Sequence, residues 1–170
     1  MLKKISAIFI FVTLLFTAEI YTVKKVVDGD TFELENGEKV RLLCVNTPES
    51  VHPRRNKNSQ EGIIAGKYTQ TRLEGKAVDL KCETAKKYGR FGRLLAYCFI
   101  DGKNFNLELV EKGYSCYYTK YGKSEYYHDE FLKSGRKCKG SKCGILEKWQ
   151  VESGYADKGR LNITERIIWC

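Results

Sequence analysis

Apolar and polar positions change rhythm several times along the chain. After Met1-Leu2-Lys3-Lys4, Ile5 to Ala18 is an almost unbroken apolar run. It is shorter than the roughly 20 residues that a membrane-spanning helix needs. A cationic start followed by a short apolar stretch predicts a secretory signal peptide over 1–18, or a membrane anchor if it is left uncleaved. From Glu19 to Val45 the pattern is that of strands: Ile20-Tyr21-Thr22-Val23 and Val26-Val27, then Thr31 to Glu35 alternating with period two. Asn36-Gly37 marks a hairpin, because both positions tolerate positive φ. Val40 to Val45 reads as the next strand, apolar on both faces apart from Arg41. Pro48 ends it, and Ser50 to Asn58 is a polar, basic loop.

Ser59 caps a predicted helix that runs to about Leu73, and Gly75 stops it. Two more strands follow, Ala77–Thr84 and Leu94–Ile100, joined by a basic turn over 86–93. Short helices are expected over Asn104–Lys112, closed by Gly113, and over Ser124 to about Lys137. Strands collected early and helices afterwards indicate an α+β chain. Five short antiparallel strands with about three helices suit a closed OB-type barrel. The domain should therefore span 19–149, with a separate tail over 150–170 that carries the sequon Asn162-Ile163-Thr164.

Composition narrows the partners. The 170 residues carry 30 Lys+Arg against 21 Asp+Glu, a net +9. With 42 % hydrophobic residues and only 2 Pro, disordered and collagen-like chains are excluded. The positive balance favours polyanions: nucleic acid, acidic polysaccharide or an anionic membrane face. The 7 cysteines fit an exported protein with disulfides, and the odd count leaves at least one thiol over. Cys82 with Cys98, on adjacent expected strands, and Cys138 with Cys143, close in the chain, are the proposed pairs. No Cys-x-x-Cys and only 2 histidines argue against zinc.

Three clusters can carry chemistry. Asp28-Gly29-Asp30-Thr31 offers two carboxylates astride a glycine, hard ligands for a divalent cation or simply a turn. In Arg41 to Glu49, an arginine on an apolar strand is expensive to bury unless an anion meets it. Glu49, just beyond that strand, can serve as a general base. Arg90-Phe91-Gly92-Arg93 places two planar donor forks, suited to phosphate oxygens, around an aromatic ring. A cation, two arginines and a base together point to phosphodiester hydrolysis.

The runs Val-Val-Asp-Gly-Asp-Thr (26–31), Arg-Leu-Leu-Cys-Val-Asn-Thr-Pro-Glu (41–49) and Gly-Arg-Leu-Leu-Ala-Tyr (92–97) resemble, in order, the thermonuclease or staphylococcal-nuclease-like family. Asp101-Gly102, Leu109-Val110 and Gly113 continue the match, which is nearly collinear from Tyr21 to Trp149. The resemblance implies a five-stranded OB barrel and calcium-dependent cutting of DNA and RNA, single strands preferred, by a secreted monomer. Carried over by position, Asp30 and the Thr47 main-chain oxygen would bind Ca2+, with Asn46 beside them. Glu49 would activate water, and Arg41 and Arg93 would hold the phosphate. Arg90 would fall on the rim, and Phe91 and Tyr121 beside the nucleotide. Lys86, Lys87 and the loop Arg54-Arg55-Asn56-Lys57 would extend a basic track.

One departure stands out. The family pattern usually has aspartate where this chain has Asn46, so a charged calcium ligand is missing and affinity should fall. Asp28 or Glu49 could compensate, directly or through water. Two other readings compete: a non-catalytic OB module that kept the nucleic-acid groove and lost the ion, and a disulfide-stapled surface protein that binds envelope polymers.

Overall fold

The computed structural model describes residues 19–50, 59–84 and 87–140. Strand β1 (Ile20–Asp28) is long enough to serve two neighbours. Its first residues pair with β5 (Ala77–Lys81), and the rest pairs with β2 (Thr31–Leu34). Register shifts at Val23/Lys25 and Val26/Asp28 bend β1 sharply, which is how a short sheet acquires barrel curvature. β2 turns at Asn36-Gly37 into β3 (Lys39–Leu42), with Gly37 at φ 84° and the Asn36 side chain accepting from Glu38 N–H at 2.9 Å. β6 (Leu94–Ile100) pairs with β5 on one side and with β3 on the other. The circuit β1-β2-β3-β6-β5 closes on itself, an OB-type barrel with an α+β complement of three helices. The β3–β6 seam is parallel, so the barrel is mixed, not antiparallel throughout as the strand pattern suggested.

Inward residues of all five strands fill the barrel, among them Val23, Phe32, Leu42 and Ala96, each at most 2 % exposed. Helix α1 (Gln60–Leu73) lies against β1 and buries Ala65, Thr69 and Leu73, a narrow stripe at four-residue spacing. Ser59 caps it by accepting from Gly62 N–H at 2.9 Å, and Gly75, at φ 71°, follows its end. A two-residue strand β7 (Lys103–Asn104) leads into α2 (Phe105–Glu111), which Asn104 caps. Strand β8 (Cys116–Tyr117) pairs with β4 (Val45–Asn46), and α3 (His128–Gly140) packs on α2. Among the described residues, no helix is long and apolar enough to cross a membrane.

Three expectations need correction. The run Val40–Val45 is not one strand: it breaks at Leu43-Cys44, where Cys44 takes φ 58°. Arg41 holds the break by donating through Nη1 to the carbonyls of Leu42 and Val45, both at 3.0 Å. The third helix starts at His128, not Ser124. The Ser124 hydroxyl meets Tyr97 Oη at 2.6 Å and accepts from Tyr127 N–H, so 124–127 form an anchored turn. Cys82 and Cys98 both carry free thiols. In the β5–β6 register Cys98 faces Leu80, two positions short of Cys82, and so the two sulfurs are not cross-strand partners. The other proposed pair lies partly outside the described residues, at Cys143; 1–18, the whole tail 150–170, Lys86 and the basic loop 54–57 lie outside them entirely.

Candidate active site

The turn between β1 and β2 and the segment leaving β3 meet at one end of the barrel. Asp30, 5 % exposed, is the hub. Its Oδ2 accepts from Arg41 Nη2 at 2.9 Å and from Thr47 N–H at 3.0 Å, while Thr31 Oγ1 donates to Oδ1 at 3.0 Å. The costly arginine on an apolar strand therefore has its anion. Arg41 Nη2 also donates to Asn46 Oδ1 at 3.1 Å, so Asn46 is turned toward the guanidinium. The Asn46 backbone is held in turn by Ser115, whose hydroxyl accepts from Asn46 N–H at 2.8 Å. Gly29 allows the two segments to touch, since a Cβ there would stand 2.6 Å from Thr47 Oγ1.

Arg93 enters from the start of β6. Its Nη1 reaches Thr31 Oγ1 at 3.4 Å, and its Nε is buried without a hydrogen-bond partner. Burial first, then the like charge of Arg41, lowers its pKa, while Asp30 and Glu49 oppose the shift. Arg41 and Arg93 thus share one electrostatic neighbourhood with Asp30 and Glu49, and Arg93 retains donor capacity for an anion. Glu49 is exposed at the mouth. Enough protein surrounds it that desolvation, followed by repulsion from Asp28 and Asp30, raises its carboxyl above the ordinary range, with Arg41 working against the rise. Asp28 is also raised, by burial foremost and by Asp30, although Ser50 stabilises its anion.

Chemically the cluster offers hard oxygens: the Asp30 carboxylate, the Asn46 amide and the Thr47 main chain, with Asp28 and Glu49 adjacent. Among the described residues no three His, Cys, Asp or Glu side chains form a ready cage for a metal ion. The set proposed here needs only one carboxylate in direct contact. Burial and then the nearby carboxylates raise Asp28 and Glu49, and the oxygen donors of this set are of the hard type that a divalent cation takes.

The remaining candidates separate. Phe91 is exposed with its ring 5.6 Å from the Arg93 guanidinium and 5.9 Å from that of Arg90, a rim around the arginine that faces the cluster. Tyr121 is also exposed, but its ring contacts are to Tyr118 and Lys120, and no described contact ties it to either site arginine. Thr31, Ser50, Gly62 and Ser115 received no role from the sequence. Thr31 was legible in the Asp-Gly-Asp-Thr run; the others have no local signal, since their contacts join segments far apart in the chain.

Residues 39–149 match the staphylococcal nuclease homologue family. With the barrel and the collinear motifs, this places the chain in that family. The chain is 31 % identical to endonuclease YncB of Bacillus subtilis over 145 residues, covering 83 % of this chain and 66 % of the relative. It is 30 % identical to the SPbeta prophage-derived endonuclease YokF of the same organism over 142 residues, covering 81 % and 46 %. Against the thermonuclease of Staphylococcus intermedius it is 37 % identical over 99 residues, covering 56 % and 57 %. The chain therefore spans between about half and two thirds of the length of these relatives.

Proposed function

We propose that the protein is a secreted, calcium-dependent endonuclease that hydrolyses phosphodiester bonds of DNA and RNA, preferring single strands, as a monomer. The observation that carries this reading is the shared neighbourhood of Arg41, Arg93, Asp30 and Glu49. A binding module has no use for a general base beside two phosphate-binding arginines. The names of the family relatives, endonuclease and thermonuclease, support it.

Asp30, the Thr47 main-chain oxygen and Asn46 would hold the Ca2+ ion, whose contribution is to polarise the phosphate and draw charge off its oxygens. The chain's own residues do the rest. Arg93, with free donors, binds a non-bridging phosphate oxygen, and Arg41 turns its remaining N–H toward the same group. Both gain strength as negative charge grows in the transition state. Glu49 accepts a proton from the attacking water. A new P–O bond then forms to the water oxygen as the ester P–O bond breaks, and the leaving oxygen takes a proton from solvent. The upward shift of Glu49 brings its basicity closer to neutral pH, where a general base is most effective.

Asn46, engaged by Arg41, favours one alternative: an OB module that binds nucleic acid without cutting it. A gel assay on single-stranded DNA decides. Cutting with calcium, lost with chelator and in Glu49→Ser, supports the enzyme; retardation without cutting at any calcium level supports the module. Residues 1–18 as a cleaved signal peptide are part of the same proposal, and mass spectrometry of exported protein tests it by its N-terminal residue.

A further inference from the structure

The backbone that carries Glu49 is gripped from two sides. On the barrel side, Asp28 Oδ1 accepts three hydrogen bonds, from the Ser50 hydroxyl at 2.6 Å, Gly29 N–H at 2.8 Å and Ser50 N–H at 3.3 Å. Two of the three come from the residue directly after Glu49. On the helix side, Ser59 N–H donates to the Glu49 carbonyl at 2.9 Å. Gly62, in the first turn of α1, presses on that same carbonyl: a Cβ there would lie 2.3 Å from the Glu49 oxygen and 2.7 Å from Ser50 N. Glycine is a poor helix former, and this approach supplies the reason for it. The jaws are joined behind by Thr69, whose hydroxyl donates to the Gly29 carbonyl at 2.7 Å and ties α1 to the turn that carries Asp28.

We propose that Asp28, Ser50 and Gly62 are positioning residues that clamp the Glu49 backbone and so aim its carboxylate. The proposal rests on the nuclease reading for its catalytic consequence. It gives Asp28 a different task from ligating a cation, since one of its oxygens is already filled by three protein donors. The Glu49 side chain is exposed and meets the Asp28 carboxyl, so its direction depends on the backbone beneath it and on that same Asp28. Displacement of a catalytic group by about 1 Å can cost on the order of 100-fold in rate.

The test compares Gly62→Ala, Ser50→Ala and Ser50→Thr with the wild type on single-stranded DNA at saturating calcium, alongside amide hydrogen exchange at position 50. Gly62→Ala should lower kcat by about 10- to 100-fold and Ser50→Ala by about 10-fold, with KM changed less than about two-fold. Ser50→Thr, which keeps the hydroxyl, should recover most of the rate. Exchange at position 50 should accelerate in the two alanine variants and not in the threonine variant. Should Gly62→Ala not fold, the Ser50 pair decides alone. Unchanged kcat in Ser50→Ala overturns the clamp, as does unchanged exchange at position 50, or a loss that Ser50→Thr shares. A wild type that never cuts defeats the nuclease reading instead, and the exchange data then judge the clamp by themselves.

Discussion

Two arginine-bearing regions of the molecule face the same prospective ligand in opposite ways. At the barrel end, Arg41 is half-buried and spends its donors on Leu42, Val45, Asn46 and Asp30. At the hairpin tip, Arg90 and Phe91 stand in solvent, Phe91 at 76 % exposed with its ring beside the Arg90 and Arg93 guanidinium groups. Arg93 belongs to both, with its head group near Thr31 and Asp30 and its flank against the Phe91 ring. The difference teaches where chemistry and where affinity reside. Groups held in fixed directions before substrate arrives can stabilise a transition state without reorganising. Exposed rings and guanidinium groups can only add contact, screened by salt.

The comparison can be broken most severely at its hub. Asp30→Ala removes the carboxylate that holds Arg41 and would hold the cation. Cleavage is expected to fall by about 1000-fold, in the range seen for loss of a preorganised electrostatic group. A fall below about 10-fold, in a gel assay with calcium titrated upward, would mean that the hub is dispensable. Asn46→Asp sharpens the same region in the other direction. An added carboxylate should lower the calcium concentration for half-maximal activity by about 10-fold, since such sites are tuned by ligand charge. Equal half-saturation in both proteins would count against Asn46 as a ligand.

At the rim the effects should be smaller and of another kind. Phe91→Ala should raise KM for single-stranded DNA by several-fold, from a stacking loss of about 1–2 kcal/mol, and leave kcat within about two-fold. Arg90→Ala should do less and flatten the salt dependence. A drop in kcat without a change in KM would move the rim into the chemistry. The smallest effect concerns neither region. Glu108 joins α2 to α1 through Arg72, with Nε to Oε1 at 2.9 Å, and through the Tyr68 hydroxyl. Burial works against its anion, but these partners outweigh it and lower its pKa. Its contribution to stability is therefore complete above the unfolded value of about 4.3 and is lost as pH falls through the lower folded value. Glu108→Gln should flatten the acid limb of a thermal-melting profile below that pH and leave the neutral plateau lower by a small, constant amount.

Much of this was legible in the residues. Asn36-Gly37, Gly75 and Gly113 punctuate the elements where the chain demands it, and the latter two, like Gly37, take positive φ. Arg41 announced a buried anion by its cost alone, and Asp30 is that anion. What stayed hidden was tertiary. The apolar run Val40–Val45 conceals a break that only the Arg41 side chain explains. β7 and β8, two residues each, are too short to show a period. Ser124 resembles a helix cap and instead anchors a turn to Tyr97, because its partner lies 27 positions away. The Cys82–Cys98 pairing failed on register, a two-residue offset that strand patterns do not encode. The grip on Glu49 depends on contacts between β1, the segment after β4 and α1, which no local motif marks.

The central claim is that Glu49 and Arg93 act on one ester as a unit. Single-turnover cleavage of a short single-stranded DNA by wild type, Glu49→Gln, Arg93→Met and the double variant measures this directly. Groups that work together are strongly non-additive, so the double variant should lose no more than about 10-fold beyond the worse single variant. Losses that multiply in full would show two independent contributions and contradict the shared site.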